Sequence, residues 1–131
     1  MPDIEREIAI ITTARTFDAE YEWSAHVLIA REVGVAEDVI DIVANRRPLS
    51  GLSEEHAVIV QFTRELLDDH RVSDAVFESV KKRFGDAGAV ELTATVGYYS
   101  MIASVLNALE VMPAEGKAHP VCLNRLTGVP G

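Results

Sequence analysis

Apolar residues recur along this chain at the three- and four-residue spacing of amphipathic helices. In the first segment Ile4, Ile8 and Ile11 fall on one stripe, which Ile10 and Ala14 widen. The same spacing predicts six helices, over residues 3–15, 18–33, 36–45, 53–70, 73 to a turn at 84–86, and 87–110. No segment alternates apolar and polar residues in the manner of a half-buried strand. The pattern therefore predicts an all-α fold, a compact bundle of about six helices.

Capping residues mark several of the predicted helix ends. Asp18 is a good N-cap for the second helix, and Gly34 stands where a glycine ends it. Ser53 and Ser73 precede the fourth and fifth helices in the same capping role. Residues 46–52 contain Pro and Gly without any periodicity, which indicates a loop.

The last predicted helix, over residues 87–110, is apolar on nearly every face. Its apolar residues are Val90, Leu92, Val96, Met101, Ile102, Val105, Leu106 and Leu109. Such a helix is either central in the core or shared with another subunit. Because six short helices would leave this surface exposed on a monomer, we expect a homo-oligomer.

The chain has the size and composition of one globular domain. It has 131 residues, of which 48% are hydrophobic and 25% charged, and it contains no internal repeat or low-complexity block. We predict a single domain over residues 1–112. From Pro113 onward, Pro, Gly and polar residues indicate a C-terminal tail, 113–131.

Charge and cysteine usage exclude several classes of protein. Lys and Arg number 12 against 21 Asp and Glu, a net charge of −9, so no basic face is available for nucleic acid. We find no apolar run of about 18 residues and no secretory leader pattern, and predict a cytoplasmic protein without a membrane partner. The single cysteine, Cys122, cannot form an internal disulfide.

The candidate chemistry lies in the second helix, where Glu22 and His26 are four residues apart and share one face. At 100° per residue this face continues through Ile29 and Val33. The solvated stripe lies on the other side, through Glu20, Ser24 and Arg31. A carboxylate and an imidazole that face inward must be paired or hydrogen-bonded, and burial can displace the pKa values of such groups toward acid–base work. The alternative is an ordinary surface contact between residues one helical turn apart.

Residues 19–26, Ala-Glu-Tyr-Glu-Trp-Ser-Ala-His, resemble a motif of the carboxymuconolactone decarboxylase and alkyl hydroperoxidase D family. Members typically carry Cys-x-x-Cys-x-x-x-His at the start of a helix. With the histidine at His26, the two cysteine positions fall at Ala19 and Glu22, as in a subgroup with Glu-Trp-x-x-His. The resemblance covers about residues 4–112 and includes Arg6-Glu7-Ile8-Ala9-Ile10, Gly34, Arg71-Val72-Ser73-Asp74, Arg83-Phe84-Gly85, Val90-Glu91-Leu92 and Gly97-Tyr98-Tyr99 leading to Leu106-Asn107.

The resemblance implies the alkyl hydroperoxidase D-like fold, but the peroxidase branch needs a cysteine pair for thiolate attack and disulfide closure. Ala19 and Glu22 can do neither, and Cys122 has no second cysteine to pair with. We therefore expect no thiol peroxidase activity; residual alkyl hydroperoxidase activity, of the peroxiredoxin-like antioxidant kind, is an alternative. The decarboxylase branch implies instead a cofactor-free lyase that moves protons on a lactone or keto acid. In that reaction Glu22 would be general base or proton carrier, His26 its partner, and Glu7 the group that orients the imidazole.

The same resemblance suggests substrate-binding residues. Trp23 would supply a flat apolar wall, and Tyr98 and Tyr99 a hydroxyl for a substrate oxygen, although such residues at helical spacing are more often core side chains. No cofactor or metal is predicted, because the Glu-x-x-x-His spacing differs from the Glu-x-x-His of di-iron helices and has no second copy. Asn107 is expected to bond to backbone or a neighbouring helix.

A different class of function remains open, namely a non-catalytic small-molecule-binding or assembly module on the same fold. The missing cysteines favour it. So does the start of the chain close to the first helix, where relatives of the subgroup carry a further segment. If that segment covers the site in relatives, the pocket is open here or closed by a partner subunit.

Overall fold

A computed structural model of the protein describes residues 1–114 and 117–118. The helices are α1 Asp3–Thr16, α2 Glu20–Val33, α3 Glu37–Ala44, α4 Glu54–Asp69 and α5 Asp74–Ala108. Two two-residue strands, β1 Pro113–Ala114 and β2 Lys117–Ala118, pair antiparallel after the last helix. The prediction of an all-α fold is confirmed. The rest of the predicted tail, including Cys122, lies outside the described residues.

The described residues form five helices where the sequence predicted about six. The fifth and sixth predicted helices form one 35-residue element, α5, which is interrupted at Gly85 with φ 74° and ψ 176°. This backbone conformation is essentially restricted to glycine, so Gly85 sets the position of the bend. The turn predicted at 84–86 therefore exists as a kink within one helix.

Helix α1 occupies the centre of the fold and packs against the other four helices. Every residue from Ile8 to Ala14 is buried. Two of them are threonines, and the hydroxyls of Thr12 and Thr13 donate to the carbonyls of Ile8 and Ala9 at 2.7 and 2.8 Å. Their polar atoms are thus satisfied within the helix, which allows α1 to be buried on all sides.

Of the two alternatives given for the last helix, the central position is excluded, because α5 buries one side only. After the kink, Leu92, Val96 and Ala103 face the core. The opposite side is exposed and apolar, and its large members are Val90, Tyr98, Met101 and Val105. No charged residue occurs between Glu91 and Glu110. By length and composition alone, α5 is the one described helix apolar enough to cross a membrane, a test that core helices of soluble proteins also pass.

Two of the predicted helix ends have the predicted caps. Gly34 ends α2 in the left-handed conformation, with φ 103°. Ser53 caps α4, and its Oγ accepts a hydrogen bond from the His56 backbone N–H at 3.3 Å.

The predicted cap of α2 is wrong. The N-cap residue is Ala19, and no side chain caps this helix. Asp18 adopts a positive φ of 50° and turns its carboxylate to Arg15 and Arg46. The Asp18 carboxylate therefore pairs with two arginines and does not accept a hydrogen bond from the backbone N–H groups at the start of α2.

Candidate functional site

Helix α2 turns both members of the predicted acid–base pair away from bulk water. Glu22 is 2% exposed, and the His26 side chain is 17% exposed. The prediction that the inward face of this helix continues through Ile29 is wrong, because Ile29 is 37% exposed. The buried positions of this segment are Ala19, Glu22, Val27 and Ala30. The helix is therefore rotated so that positions 27 and 30, rather than 29, pack inward.

Helix α1 supplies the partner of the imidazole. The Nδ1 atom of His26 lies 2.9 Å from Oε2 of Glu7, a carboxylate that is itself buried. The ring Nδ1–H donates to this carboxylate, and Nε2 lies outside this contact. The structure thus brings together Glu7 and His26, two of the predicted site residues.

The Glu22 carboxylate is the least satisfied polar group in this region. Both of its oxygens are buried, and neither has a hydrogen-bond partner among the described residues. Burial raises the pKa of Glu22 from 4.5 to about 7, although the charge of nearby His26 opposes part of that rise. A carboxyl with such a pKa can take up and release a proton near neutral pH.

Tyr99 connects α5 to this pair. Its ring meets the His26 ring edge-on, with centroids 5.1 Å apart. Burial raises the pKa of Tyr99, and the acidic groups of Glu7, Tyr98 and Glu22 raise it further. Three helices therefore bring together Glu7, Glu22, His26 and Tyr99, which we name the acid–base cluster.

One cavity adjoins the cluster through Tyr99. It has a volume of about 320 Å³ and is lined by Met1, Arg6, Glu91, Ala94, Thr95, Tyr98 and Tyr99. Tyr98 stands at its exposed edge, with its ring 5.1 Å from that of Tyr99. The two predicted substrate-binding tyrosines thus share a wall. We name this space the tyrosine cavity.

Trp23 is not part of this arrangement. It lines a separate cavity of about 540 Å³ together with Arg15, Asp18 and Glu20. A third cavity, of about 570 Å³, lies at the kink of α5, and a fourth, of about 300 Å³, lies between α1 and α4. Neither Glu22 nor His26 lines any of these four cavities.

A second carboxylate–imidazole pair was missed in the sequence. Glu5 of α1 is buried, and its Oε1 lies 3.9 Å from Nε2 of His56 on α4. The other oxygen, Oε2, has no hydrogen-bond partner among the described residues. The sequence did contain a signal for the burial of Glu5, because this residue lies three positions before Ile8 on a helix with apolar residues on most faces.

Asn107 donates from Nδ2 to the backbone carbonyl of Phe17 at 2.7 Å, which confirms the expectation for this residue. Within the described part of the chain, no group of three or more His, Cys, Asp or Glu side chains is arranged to hold a metal ion. Comparison with protein-family models, curated proteins and solved structures finds no match.

Proposed function

We propose that this protein is a small-molecule enzyme of the carboxymuconolactone decarboxylase-like kind, a lyase that uses acid–base groups without a cofactor. The observation that carries the proposal is the state of Glu22. Its carboxyl is buried beside His26, lacks a hydrogen-bond partner among the described residues and has a pKa of about 7. Strongly perturbed carboxyls of this kind concentrate at functional sites.

The contacts within the acid–base cluster suggest a role for each of its residues on α1 and α2. Glu22 carries the proton, and His26 stabilises its ionised form through the opposite charge. Glu7 holds the imidazole in one orientation through Nδ1. When the substrate loses CO₂, the electrons of the broken C–C bond stay on the substrate carbon, conjugated with a carbonyl. That carbon then takes the proton that the cluster holds.

We place the substrate in the tyrosine cavity, because Tyr99 belongs both to its wall and to the acid–base cluster. The same wall carries Arg6, whose guanidinium can pair with a substrate carboxylate. Arg6 is half exposed and contacts Asp3 at 2.6 Å, so a substrate has only a surface ion pair to displace. This location favours a small carboxylated lactone or keto acid.

The proposal is tested by measuring CO₂ release from unsaturated lactones and β-keto acids with the purified protein. Glu22→Gln should abolish turnover, because the amide cannot carry the proton. Glu20→Gln is the matched control, since Glu20 is exposed on the same helix. Absence of turnover with every substrate, or full turnover in Glu22→Gln, would refute the proposal.

We further propose that the protein is a homo-oligomer through the exposed side of α5, defined by Val90, Ala94, Tyr98, Met101 and Val105 and named the α5 face. Copies of a chain with net charge −9 repel each other, and α5 carries no charge after Glu91. The α5 face shares Ala94 and Tyr98 with the tyrosine cavity. A second copy seated there would shelter the substrate.

The second candidate function is a non-catalytic binding or assembly module. The absence of Glu22 and His26 from the walls of the four cavities favours it, as does the separate location of Trp23. This candidate predicts that His26→Ala lowers stability or assembly and that no substrate is turned over.

A further inference from the structure

Three arginines converge on one small cavity, the space of about 300 Å³ between the end of α1, the segment after α3, and α4. Its polar wall consists of Thr12, Arg15, Thr16, Arg46, Arg64 and Asp68. The chain has 12 Lys and Arg in all, so a quarter of its cations line this cavity. In a protein of net charge −9 such a concentration requires an explanation.

Backbone carbonyls hold the three guanidinium groups in place. Arg15 Nε donates to the carbonyl of Ala44 at 2.7 Å, and Arg46 donates to the carbonyl of Arg15 at 2.9 Å. Arg64 donates to the carbonyls of Arg47 at 3.0 Å and Ile42 at 3.4 Å. Bonds to neutral acceptors orient these arginines without cancelling their charges.

Nearby carboxylates neutralise only part of the positive charge of the three arginines. Asp68 lies on the wall, and Asp18, which does not line this cavity, contacts Arg15 and, at 3.2 Å, Arg46. Three arginines against two aspartates leave one excess positive charge. Arg64 has no carboxylate within ion-pair distance among the described residues. Burial lowers its pKa, and Arg46 contributes in the same direction, whereas Asp68 raises it.

We infer that this cavity binds a small oxyanion of the phosphate type, free or as a phosphate monoester. Planar guanidinium groups that approach from three segments of the chain suit a tetrahedral anion, which offers acceptor oxygens in several directions. The hydroxyls of Thr12 and Thr16 already donate to backbone carbonyls, so the arginines supply the donors. An anion would relieve the mutual repulsion of the cations.

This site is separate from the acid–base cluster and does not depend on the proposed function. Glu7 and Arg15 lie eight residues apart on α1, about 12 Å along the helix axis. The two sites occupy different cavities and share no lining residue. Loss of oxyanion binding and loss of turnover are therefore distinguishable outcomes.

Isothermal titration calorimetry with inorganic phosphate, at constant ionic strength, tests the inference. We expect saturable binding at one site per chain. Arg46→Gln and Arg64→Gln should each weaken it about tenfold, through loss of one charge-assisted hydrogen bond. Arg31→Gln is the matched control, because Arg31 pairs with Glu37 at the surface of α2, away from this cavity. Arg46 is half exposed, so its variant tests the site even if Arg64→Gln fails to fold.

Two further titrations identify the ligand. Glycerol phosphate bound at least as tightly as phosphate would assign the site to monoesters, and binding of phosphate alone would assign it to the free anion. Succinate bound as tightly as phosphate would overturn the assignment to phosphate. Absence of saturable binding, or equal affinity in the Arg46, Arg64 and Arg31 variants, would overturn the site itself and leave the arginines as caps of the ends of α1 and α3.

Discussion

His26 Nδ1 lies 2.9 Å from Glu7 Oε2, so an imidazole of α2 is held by a buried carboxylate of the central helix. The two residues are 19 positions apart in the chain. The contact fixes the orientation of the ring through Nδ1. Glu22 adds a second carboxylate on the same side of α2, and this one has no such hydrogen bond among the described residues.

Replacement of the orienting carboxylate should cost stability. In Glu7→Gln a charge-assisted hydrogen bond becomes a neutral one, and we expect the free energy of unfolding to fall by about 1–2 kcal/mol. Urea unfolding at pH 7 measures the change. Glu20→Gln, an exposed change of the same chemistry, should stay within about 0.5 kcal/mol of the wild type. Equal stabilities of the two variants would show that the contact contributes nothing.

The raised pKa of Glu22 predicts a defined dependence of stability on pH. The unfolded chain releases this proton near pH 4.5, whereas the folded protein holds it up to about pH 7. The contribution of this group is therefore fully present below pH 4.5 and is lost as the pH rises to 7. Above pH 7 the contribution stays lost, so the free energy of unfolding is lower there than below pH 4.5 by roughly 3 kcal/mol.

Glu22→Gln removes this titration while keeping the side-chain shape. Relative to the wild type, the variant should gain about 2–3 kcal/mol of unfolding free energy between pH 5 and pH 8. Urea unfolding at the two pH values measures the difference, with Glu20→Gln as the control. A wild-type-to-variant difference that is the same at both values would mean that Glu22 does not titrate in this range.

Introduction of charge on the α5 face should dissociate the proposed oligomer. Met101→Glu places a carboxylate in an apolar surface that we expect a second copy to cover, and burial of an unpaired charge is costly. Sedimentation should show an oligomer for the wild type and a monomer for the variant. Ala75→Glu, exposed in the first turn of α5, is the control. A monomeric wild type would contradict the prediction, and its binding to neutral lipid vesicles would assign the α5 face to a membrane.

Thiol peroxidase activity should be absent. Ala19 and Glu22 stand where the family that the sequence resembles carries its cysteine pair, and one thiol cannot close an internal disulfide. With dithiothreitol as reductant, the wild type and Cys122→Ser should consume hydrogen peroxide no faster than buffer. Consumption that persists in Cys122→Ser would mean that the protein reduces peroxide by a route without cysteine.

Local features of the fold were predictable because they depend on residues close together in the chain. Helical periodicity predicted the all-α class, Gly34 and Ser53 predicted two helix ends, and Gly85 predicted the turn that kinks α5. The burial of Glu22 followed from the same periodicity. A helical repeat constrains which side chains share a face, whatever the helix packs against.

Only the tertiary structure determined which helix faces pack against one another. It placed α1 at the centre, left one side of α5 uncovered and rotated α2 so that Ile29 faces out. It separated Trp23 from the acid–base cluster, and it brought together Glu5 with His56 and the three arginines with one another. Periodicity within one helix carries no information about rotation relative to another helix. That rotation is set by side-chain packing between segments distant in the chain.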